Sequence, residues 1–451
     1  MTDIAPFKGL TYNFNSGADL SKLVAPPYDV ISTDEQESYY KTDPHNIIRL
    51  ILGRKMKGDS DRDNKYTRAS EYFRKWESQE TLIHAEKPCI YLTSMTYDPG
   101  TGEPKRTRWG LIALVRIEEE DSGVILPHEK TFSAHKDDRL KLMRSSNAQF
   151  SQIFGLYEDK NNVILNACKN AMDISPQIAF NFKDGSRHEM WSLDDPALFK
   201  IVADTMRKKR IFIADGHHRY ETSRNYRNIM RTRYGMRPAN RSYDFVMMYL
   251  SNMDDKGLTI LPSHRLIKQV SDFRIKDFLK KIEKNFEITS YPVPEDTAFK
   301  WSSTLKQKLR ETGTLSTAIG LYHNKSGKYY LFSLKQGAGE KMADDIHPSL
   351  KKLDVIVLSR LILQEGLGFS REDLDNDRIF HYQSDIRTAV SQVQSGDYEM
   401  AFLLNHTRLE HVKEIASNSL IMPRKSTYFY PKVITGLVIN KIDPHEIIQV
   451  P

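Results

Sequence analysis

The amino-acid sequence predicts an α/β protein, with helices and the strands of a mixed (α+β) sheet alternating along the chain. Two patterns carry this prediction: short β-branched or aromatic runs recur, and segments with apolar residues every three or four positions lie between them. The third observation is length, because 451 residues exceed what a single hydrophobic core usually organises. We therefore expect two regions, residues 1–270 and residues 271–451.

The beginning of the first region contains a helix signal followed by strand signals. Residues 66–80 carry apolar side chains at helical spacing, which predicts an amphipathic helix. Two β-rich runs, 89–97 and 108–117, flank a loop with Gly and Pro at 98–102 and predict a hairpin. A further strand-like run covers residues 150–157.

The remainder of the first region continues this alternation. A helix is predicted over 198–208, a strand follows from residue 211, and a helix rich in Arg and Tyr follows over 217–234. Two more strands are predicted at 244–250 and 259–262. This order is typical of an α/β arrangement.

The second region has the same mixed character. Its predicted elements, in order, are a helix at 272–286, a hairpin at 318–322 and 329–333, a long apolar helix at 353–367, a strand at 401–405 and a helix that ends at Ser417. No period of 20 to 50 residues recurs, so a repeat architecture is not expected.

Composition and charge narrow the classes of function. Lys and Arg number 66 against 59 Asp and Glu, a formal charge of +7, and the two signs are interspersed. This balance suits an anionic small substrate about as well as a polyanion. There is no window of roughly 18 apolar residues and no signal-peptide pattern. With Cys89 and Cys168 as the only cysteines, we expect a cytoplasmic protein that does not enter a membrane.

The segment around Asp215 and Gly216 is the most informative motif. A β-branched apolar run ends in these residues, and His217, His218 and Arg219 follow in a helix-compatible segment. Gly lets the backbone approach a ligand, and the first N–H groups of a helix bind phosphate. The alternative is that Asp215 only caps the helix while the histidines lie on the surface. Because adjacent helical residues point about 100° apart, both histidines are not expected to ligate one metal.

Glu129 marks a second candidate, in the loop between Pro127 and Thr131. It lies between His128 and Lys130, and a loop carboxylate beside cations suits a general base or a Mg²⁺ ligand where phosphate charge is neutralised. The alternative is a solvated run of charges.

Two further segments offer cations to an anion. Arg144 ends a predicted helix and is followed by two serines and an asparagine, which favours an anion contact there. Lys425 is followed by the hydroxyls of Ser426 and Thr427, which could hold a phosphate, although no Gly-rich loop precedes them. The alternative is that the aromatic residues after them only pack in a C-terminal strand.

The familiar catalytic motifs do not occur in the sequence. It contains no Gly-x-Gly-x-x-Gly turn, no paired Cys-x-x-Cys, no Gly-x-Ser-x-Gly and no His-Glu-x-x-His. The remaining polar segments are rich in Arg, Lys and His with a few carboxylates. This composition favours phosphoryl chemistry, in which positioning and charge neutralisation supply most of the rate.

Five segments taken together resemble the bacterial and archaeal family catalogued as domain of unknown function, family 1015. They are Pro26-Pro-Tyr-Asp-Val-Ile31, Leu126-Pro-His-Glu-Lys-Thr131, Asp137-Asp-Arg-Leu140 with Ile153-Phe-Gly-Leu-Tyr157, Ile213-Ala-Asp-Gly-His-His-Arg-Tyr220 and Met422-Pro-Arg-Lys-Ser-Thr-Tyr-Phe-Tyr-Pro-Lys432. The Asp-Gly-His-His-Arg box is also similar to the phosphate-binding box of the ParB/sulfiredoxin superfamily, which includes free L-serine kinases and nucleotide-hydrolysing DNA segregation proteins.

The resemblance implies a fold and a set of roles. Residues 1–270 would form a ParB/sulfiredoxin-like nucleotide-binding core, and residues 271–451 an α/β region whose segment 422–432 returns to the site. Residues 216–219 would bind nucleotide phosphates, and Asp215 would orient the turn or a metal-bound water. Glu129 is the candidate for the catalytic glutamate of the superfamily's serine kinases.

We therefore expect an ATP- or ADP-dependent, Mg²⁺-assisted kinase that phosphorylates free L-serine and feeds O-phosphoserine into cysteine synthesis. Glu129 would take the hydroxyl proton, and His218, Lys130 and Arg219, with Arg144 or Lys425, would stabilise the phosphoryl charge; Glu129 and Asp215 are the candidate metal ligands. The alternatives are a nucleotide-dependent switch or nucleic-acid-binding protein, and a small-molecule phosphatase. Nucleic acid is the less favoured partner because the sequence contains no basic tail.

Overall fold

Strands and helices alternate through the computed structural model, which describes residues 1–14, 17–100, 104–129, 133–293, 298–342, 345–376 and 378–451. The strands, in chain order, are β1 Ile4–Ala5, β2 Leu10–Tyr12, β3 Leu82–His84, β4 Ile90–Tyr97, β5 Arg106–Arg116, β6 Ile125–Leu126, β7 Ala148–Gln149, β8 Ile153–Tyr157, β9 Ile178–Asn181, β10 Arg187–Leu193, β11 Ile211–Asp215, β12 Phe245–Asn252, β13 Thr259–Leu261, β14 His264–Ile267, β15 Phe286–Pro292, β16 Ala318–His323, β17 Lys328–Leu334, β18 Phe380–Gln383, β19 Met400–Leu404, β20 Tyr428–Tyr430 and β21 Asn440–Lys441.

The helices lie between these strands along the chain. They are α1 Leu20–Leu23, α2 Thr33–Thr42, α3 Ile48–Ile51, α4 Lys65–Ser78, α5 Ser133–Ser146, α6 Val163–Ala171, α7 Pro196–Met206, α8 His217–Tyr234, α9 Ile275–Ile282, α10 Ala298–Leu315, α11 Pro348–Lys351, α12 Asp354–Val357, α13 Ile386–Gln394 and α14 Leu409–Ser417. One-turn 3-10 helices occur at Tyr28–Val30, Ser242–Asp244, Asn324–Ser326 and Asp373–Asp375, and a wider helical segment follows α12 at Leu358–Gln364. The mixed α/β class predicted from the sequence is confirmed.

The chain divides into two compact units. The first unit contains residues 1–127, 131–259 and 431–451, and the second contains residues 128–130 and 260–430. The described helices include none that is both long enough and apolar enough to cross a membrane.

A nine-stranded mixed sheet forms the centre of the first unit. Its order is β6-β11-β8-β12-β5-β4-β10-β9, and β1 pairs with β5 beside this path. The pairs β6/β11 and β8/β12 are parallel, and the others are antiparallel. The predicted hairpin is β4 and β5, and of its loop, residues 101–103 lie outside the described residues. Buried side chains of β11 and β12 share one core with α6 and α7.

Close packing between β8 and its neighbours β11 and β12 depends on Gly155 in β8. A Cβ atom at this position would lie 2.8 Å from Ile211 Cγ2 and 2.8 Å from Leu250 Cδ2, so a larger residue would force the neighbouring strands to shift. On the same unit, Met143 of α5 packs with Tyr226 and Met230 of α8. The strand β11 and the helices α5 and α8 therefore have fixed positions around Asp215.

The second unit has a sheet of its own. Its six strands are all antiparallel, in the order β15-β17-β16-β19-β14-β18. Apolar side chains of α10 and α13 share a core with β16, β17 and β19. The predicted hairpin is β16 and β17, which pair from Ala318 to His323. The helix predicted at 272–286 ends earlier, at Ile282, because Phe286 begins β15.

The buried His188 on β10 predicts a loss of stability in mild acid. Burial lowers the pKa of His188 to about 4, its ring stacks on Phe180, and its Nε2 lies 2.8 Å from Ser186 Oγ. The unfolded chain, in which histidine has a pKa near ~6.5, binds more protons between pH 6.5 and 4, so stability falls as pH falls through this window. At pH 5 we expect His188 to cost roughly 2 kcal/mol of unfolding free energy.

The test is urea unfolding followed by tryptophan fluorescence at pH 7 and pH 5, for the wild type and His188→Gln. The glutamine keeps a polar partner for Ser186 and does not titrate. We expect a smaller loss of stability between the two pH values in the variant. An identical loss of stability in both proteins would contradict the assignment of this pH dependence to His188.

Candidate functional site

The Asp215-Gly216 turn joins the end of β11 to the start of α8. Gly216 has φ 91°, a left-handed conformation that favours glycine. A Cβ atom here would also lie 2.9 Å from Cζ and Nε of Arg219. No side chain of the described residues caps α8, and Tyr220 N donates to the Gly216 carbonyl at 3.0 Å. The first turn of an 18-residue helix therefore faces this turn with the positive end of its dipole.

Two cations hold the Asp215 carboxylate. Arg219 Nη2 donates to Oδ2, and Lys432 Nζ donates to Oδ1 at 2.5 Å. The second guanidinium nitrogen of Arg219 donates to the Gln152 carbonyl. The side chains are largely buried, with 13% of Asp215, 11% of Arg219 and 13% of Lys432 exposed. The group carries one excess positive charge, which suits an anionic ligand.

Lys432 lies in the segment expected to return to the site, but the sequence did not single it out as a site residue. It is fixed through the preceding residue, because Nη1 of the fully buried Arg108 donates to the Pro431 carbonyl at 2.7 Å. Arg108 also donates to the Tyr249 hydroxyl at 3.2 Å, and its guanidinium lies 4.8 Å from the ring centre of Phe154. In the sequence, Lys432 is marked only as the last residue of segment 422–432, one of the five segments that resemble the family. Its partner is 217 positions away, which no local pattern indicates.

A cavity of about 470 Å³, counting the part open to solvent, lies beside Arg219. Its polar lining includes Arg139, Tyr28 and three hydroxyl side chains, and its remaining lining is largely apolar. The hydroxyl residues are Ser151, Thr222 and Ser223, and the others are Ile51, Leu142, Met143, Ala148, Gln149, Phe150, Ile153 and Val246. Two arginines at an apolar cavity suit a ligand with an apolar body and an anionic end.

Arg139 is held in place around this cavity. Its guanidinium lies 4.0 Å from the centre of the Tyr28 ring, Nη1 donates to the Ile51 carbonyl at 2.6 Å, and Nε donates to Asp138 at 2.8 Å. Arg144, on the same helix α5, is exposed and does not line the cavity. The structure thus brings Arg139, and not Arg144, to the cavity next to Arg219.

The two histidines of the box differ in environment. His217 is buried, and His218 is partly buried with its ring 5.1 Å from that of His135. Burial, together with His135 and Lys136, lowers the pKa of His218 to about 4 against the opposing effect of nearby carboxylates. His218 is therefore neutral at pH 7, and it can exchange hydrogen bonds with a ligand but adds no charge.

In the second unit, Glu129 belongs to a chain of hydrogen bonds. Thr427 Oγ1 donates to Glu129 Oε1 at 3.2 Å, and His128 Nε2 lies 3.1 Å from the same hydroxyl. The backbone of this strand-like segment is fixed by a bond of 2.8 Å from Met422 N to the His128 carbonyl. The carboxylate of Glu129 is partly exposed. It is therefore oriented by Thr427 and accessible, as a general base requires.

The loop that contains Lys425 is also held in place by residues of the second unit. Lys425 has φ 55°, an unusual value for a residue with a side chain. Buried Arg265 donates to the Lys425 carbonyl at 3.1 Å, and its guanidinium lies 4.3 Å from the centre of the Tyr382 ring. Ser426 Oγ donates to the Pro423 carbonyl at 2.6 Å, so its proton is used inside the turn.

The predicted site residues thus fall into two groups. Residues 215–219 and Arg144 belong to the first unit, and Glu129 and residues 425–427 belong to the second. Lys130 and Thr131 lie outside the described residues. Among the residues that the structure describes, no three His, Cys, Asp or Glu side chains are placed to share a metal ion. A cation on Asp215 would have to displace Lys432 or Arg219, so this carboxylate does not fit a preformed Mg²⁺ site.

Comparison with known proteins identifies a family and weak structural similarities. The family model described as protein of unknown function (DUF1015) matches residues 4–356. No curated protein matches the chain.

Solved structures with some similarity include a free serine kinase in complex with AMP, at 10% identity and a TM-score of 0.36, covering 74% of this chain and 93% of that one. A conserved hypothetical protein from Pyrococcus furiosus is similar at 10% identity and a TM-score of 0.33, with 75% and 95% covered. SbnI from Staphylococcus aureus, truncated at its C-terminus, is similar at 8% identity and a TM-score of 0.34, with 72% and 86% covered.

Replacing Gly216 by alanine is expected to impair anion binding as well as stability. The left-handed φ costs an alanine about 1 kcal/mol, and the added methyl group displaces the Arg219 guanidinium from Asp215. Gly185→Ala is the matched control, because Gly185 has φ 81° and no atom within 4 Å of an added Cβ. Calorimetric titration with ADP should show at least about tenfold weaker binding for Gly216→Ala only. Equal affinity in both variants would contradict the role of this turn.

Proposed function

The chain belongs to the DUF1015 family, and from this premise we propose that it is a nucleotide-dependent phosphotransferase that phosphorylates the hydroxyl of a small molecule, free L-serine. The observation that carries the proposal is the arrangement at one end of β11. A glycine turn, the start of an 18-residue helix and Arg219 adjoin a cavity with an apolar wall and a second arginine. This combination suits a nucleoside polyphosphate, whose base is largely apolar and whose other end is anionic.

In the proposed complex, the cavity takes the nucleoside and the turn takes the phosphates. Apolar side chains such as Phe150 and Ile153 would contact the base and sugar. The backbone N–H groups at the start of α8, with Arg219 and Arg139, would contact phosphate oxygens. Both ATP and ADP satisfy this arrangement, because each has an adenosine and a terminal phosphoryl group.

Transfer of the phosphoryl group requires stabilisation of charge on its oxygens. Arg219 and Lys432 would supply this charge, and Asp215 would hold both cations in position. His218, neutral at pH 7, would contribute a hydrogen bond. Lys425 is a further candidate counter-charge, and its loop is fixed by Arg265.

Magnesium enters the proposal as part of the substrate. Mg²⁺ usually retains several waters and binds through substrate phosphates with one or two carboxylates. Because Asp215 is engaged by two cations, the nucleotide would bring the ion as its phosphate complex. Glu129, which accepts a hydrogen bond from the Thr427 hydroxyl, is the other candidate carboxylate for this ion.

Glu129 is the proposed general base. Its carboxylate would accept the proton of the serine hydroxyl as the serine oxygen forms a bond to phosphorus, and the bond from phosphorus to the bridging oxygen of the nucleotide breaks. The products are O-phosphoserine and ADP from ATP, or AMP from ADP. Thr427 would orient the carboxylate through its hydroxyl. The choice of serine as acceptor rests on the resemblance of the Asp-Gly-His-His-Arg box to that of free L-serine kinases.

The first prediction of this proposal concerns the product. Purified protein incubated with L-serine and Mg-ATP or Mg-ADP should form O-phosphoserine, detected by mass spectrometry. Glu129→Gln should lower turnover roughly 10²- to 10⁴-fold, as expected for loss of a general base, with little change in nucleotide affinity. Glu372→Gln, at an exposed position of the same unit, is the control. Nucleotide binding without any phosphorylated product, across several hydroxy amino acids, would indicate a nucleotide-dependent switch.

The second prediction concerns nucleotide affinity. Arg219→Gln removes a charge-assisted contact that is typically worth about 1.5 to 3 kcal/mol, so the Kd for ADP should rise roughly 10- to 100-fold. Arg233→Gln removes the same charge from an exposed position of the same helix and should leave the Kd nearly unchanged. Titration calorimetry of both variants, with circular dichroism to verify folding, tests the assignment. Equal effects of the two substitutions would mean that only net charge matters.

A further inference from the structure

A second cavity lies in the first unit and has a strongly basic lining. It encloses about 420 Å³, counting the part open to solvent. Four of its eight lining residues are cations and two are tyrosines. The full set, drawn from α2, α3, α4 and the loop between α3 and α4, is Tyr40, Arg49, Gly53, Arg54, Met56, Lys65, Arg68 and Tyr72. Nothing in the proposed reaction uses these residues.

Arg49 is held in this cavity by backbone oxygens. Its Nη1 donates to the Asp43 carbonyl at 2.8 Å, and its Nη2 donates to the Tyr40 carbonyl at 2.9 Å. The guanidinium lies 4.7 Å from the centre of the Tyr40 ring. Within the described ranges, Arg49 has no carboxylate partner. Its charge is therefore fixed in position and available to a ligand.

The other three cations pair with carboxylates that do not line the cavity. Arg54 donates to Glu37 at 2.8 Å and 2.5 Å. Arg68 lies 2.8 Å from Asp59 and 2.8 Å from Asp63, and Lys65 pairs with Asp138. The ionic partners thus hold the cations in place from outside, while the lining itself contains no carboxylate. Cations arranged around a concave surface concentrate anions there.

Gly53 allows the loop between α3 and α4 to approach α4 closely. A Cβ atom at Gly53 would lie 3.0 Å from the Lys65 carbonyl oxygen and 3.1 Å from Lys65 Cβ. Arg68 Nη2 also donates to the Arg54 carbonyl at 3.0 Å, which joins the loop to the helix. The cations therefore belong to a fixed surface and do not form a chance cluster of mobile side chains.

We propose that this cavity binds a small anion of the phosphate class, at a site separate from the Gly216 turn. The planar guanidinium groups of Arg49 and Arg68 and the ammonium group of Lys65 match the oxygens of such an anion. The guanidinium groups of Arg54 and Arg49 already lie 4.0 Å and 4.7 Å from the centre of the Tyr40 ring, so this ring is not open to stacking by a ligand. The ligand is therefore recognised by charge and hydrogen bonding. A phosphorylated metabolite and free phosphate share this chemistry.

The direct test is diffraction from crystals of the full chain soaked in tungstate, an oxyanion that gives a strong anomalous signal. We expect an anomalous peak within hydrogen-bond distance of Arg49, Lys65 or Arg68. Absence of a peak from this cavity overturns the proposal, whatever is found elsewhere. A peak at the Gly216 turn bears only on the proposed phosphotransferase function, so the two ideas fail independently.

A solution experiment tests the same site without disturbing the structural ion pairs. Met56 lines the cavity and is 51% exposed, so Met56→Glu should fold and place a carboxylate beside the anion. Met56→Gln is the neutral control of equal size. In an Arg219→Gln background, which weakens the first site, pyrophosphate should bind Met56→Glu about tenfold or more weakly than Met56→Gln. Equal affinities, or absence of binding in the control, would overturn the proposal. Phosphate and phosphoserine titrations then distinguish the two sources of the anion.

Discussion

The first unit depends on one balance of charge, between the Asp215 carboxylate and the two cations that hold it. Asp215 ends β11, Arg219 lies in the first turn of α8, and Lys432 comes from the C-terminal segment of the chain. Each of the three is largely buried, so removing any one leaves a poorly solvated charge among the others. The arrangement also leaves one positive charge in excess at the start of a helix, which is the physical basis for an anionic ligand.

Two buried arginines fix the segment that carries Lys425 and Lys432. Within the second unit, Arg265 donates to the carbonyl of Lys425, and within the first unit, Arg108 donates to the carbonyl of Pro431. Each guanidinium also lies near aromatic rings. Burying a cation costs free energy unless it is hydrogen-bonded, and backbone carbonyls with ring faces offset this cost here. The conformation of a C-terminal loop is thereby determined by residues far earlier in the sequence.

The sequence predicted local features well and long-range pairs poorly. The helix after Gly216 begins and ends where the pattern indicated, because a glycine turn and an Arg/Tyr-rich amphipathic segment are local signals. The pairing of Lys432 with Asp215 spans 217 positions and could not be inferred from spacing. The serines after Arg144 predict an anion contact at that residue, yet the arginine of α5 that lines the cavity is Arg139. The face of α5 that meets the cavity is set by packing of Met143 against α8. The neutral state of His218 likewise depends on burial, which a sequence does not specify.

The most direct test of the central claim is a crystal structure of the protein with bound Mg-ADP. If the Gly216 turn binds the nucleotide, the terminal phosphate should lie at the start of α8, with its oxygens about 2.7–3.2 Å from the backbone nitrogens of residues 217–219 or from the guanidinium of Arg219. The adenosine should occupy the cavity lined by Tyr28 and Phe150. Phosphates bound away from residues 216–219 would contradict this binding mode.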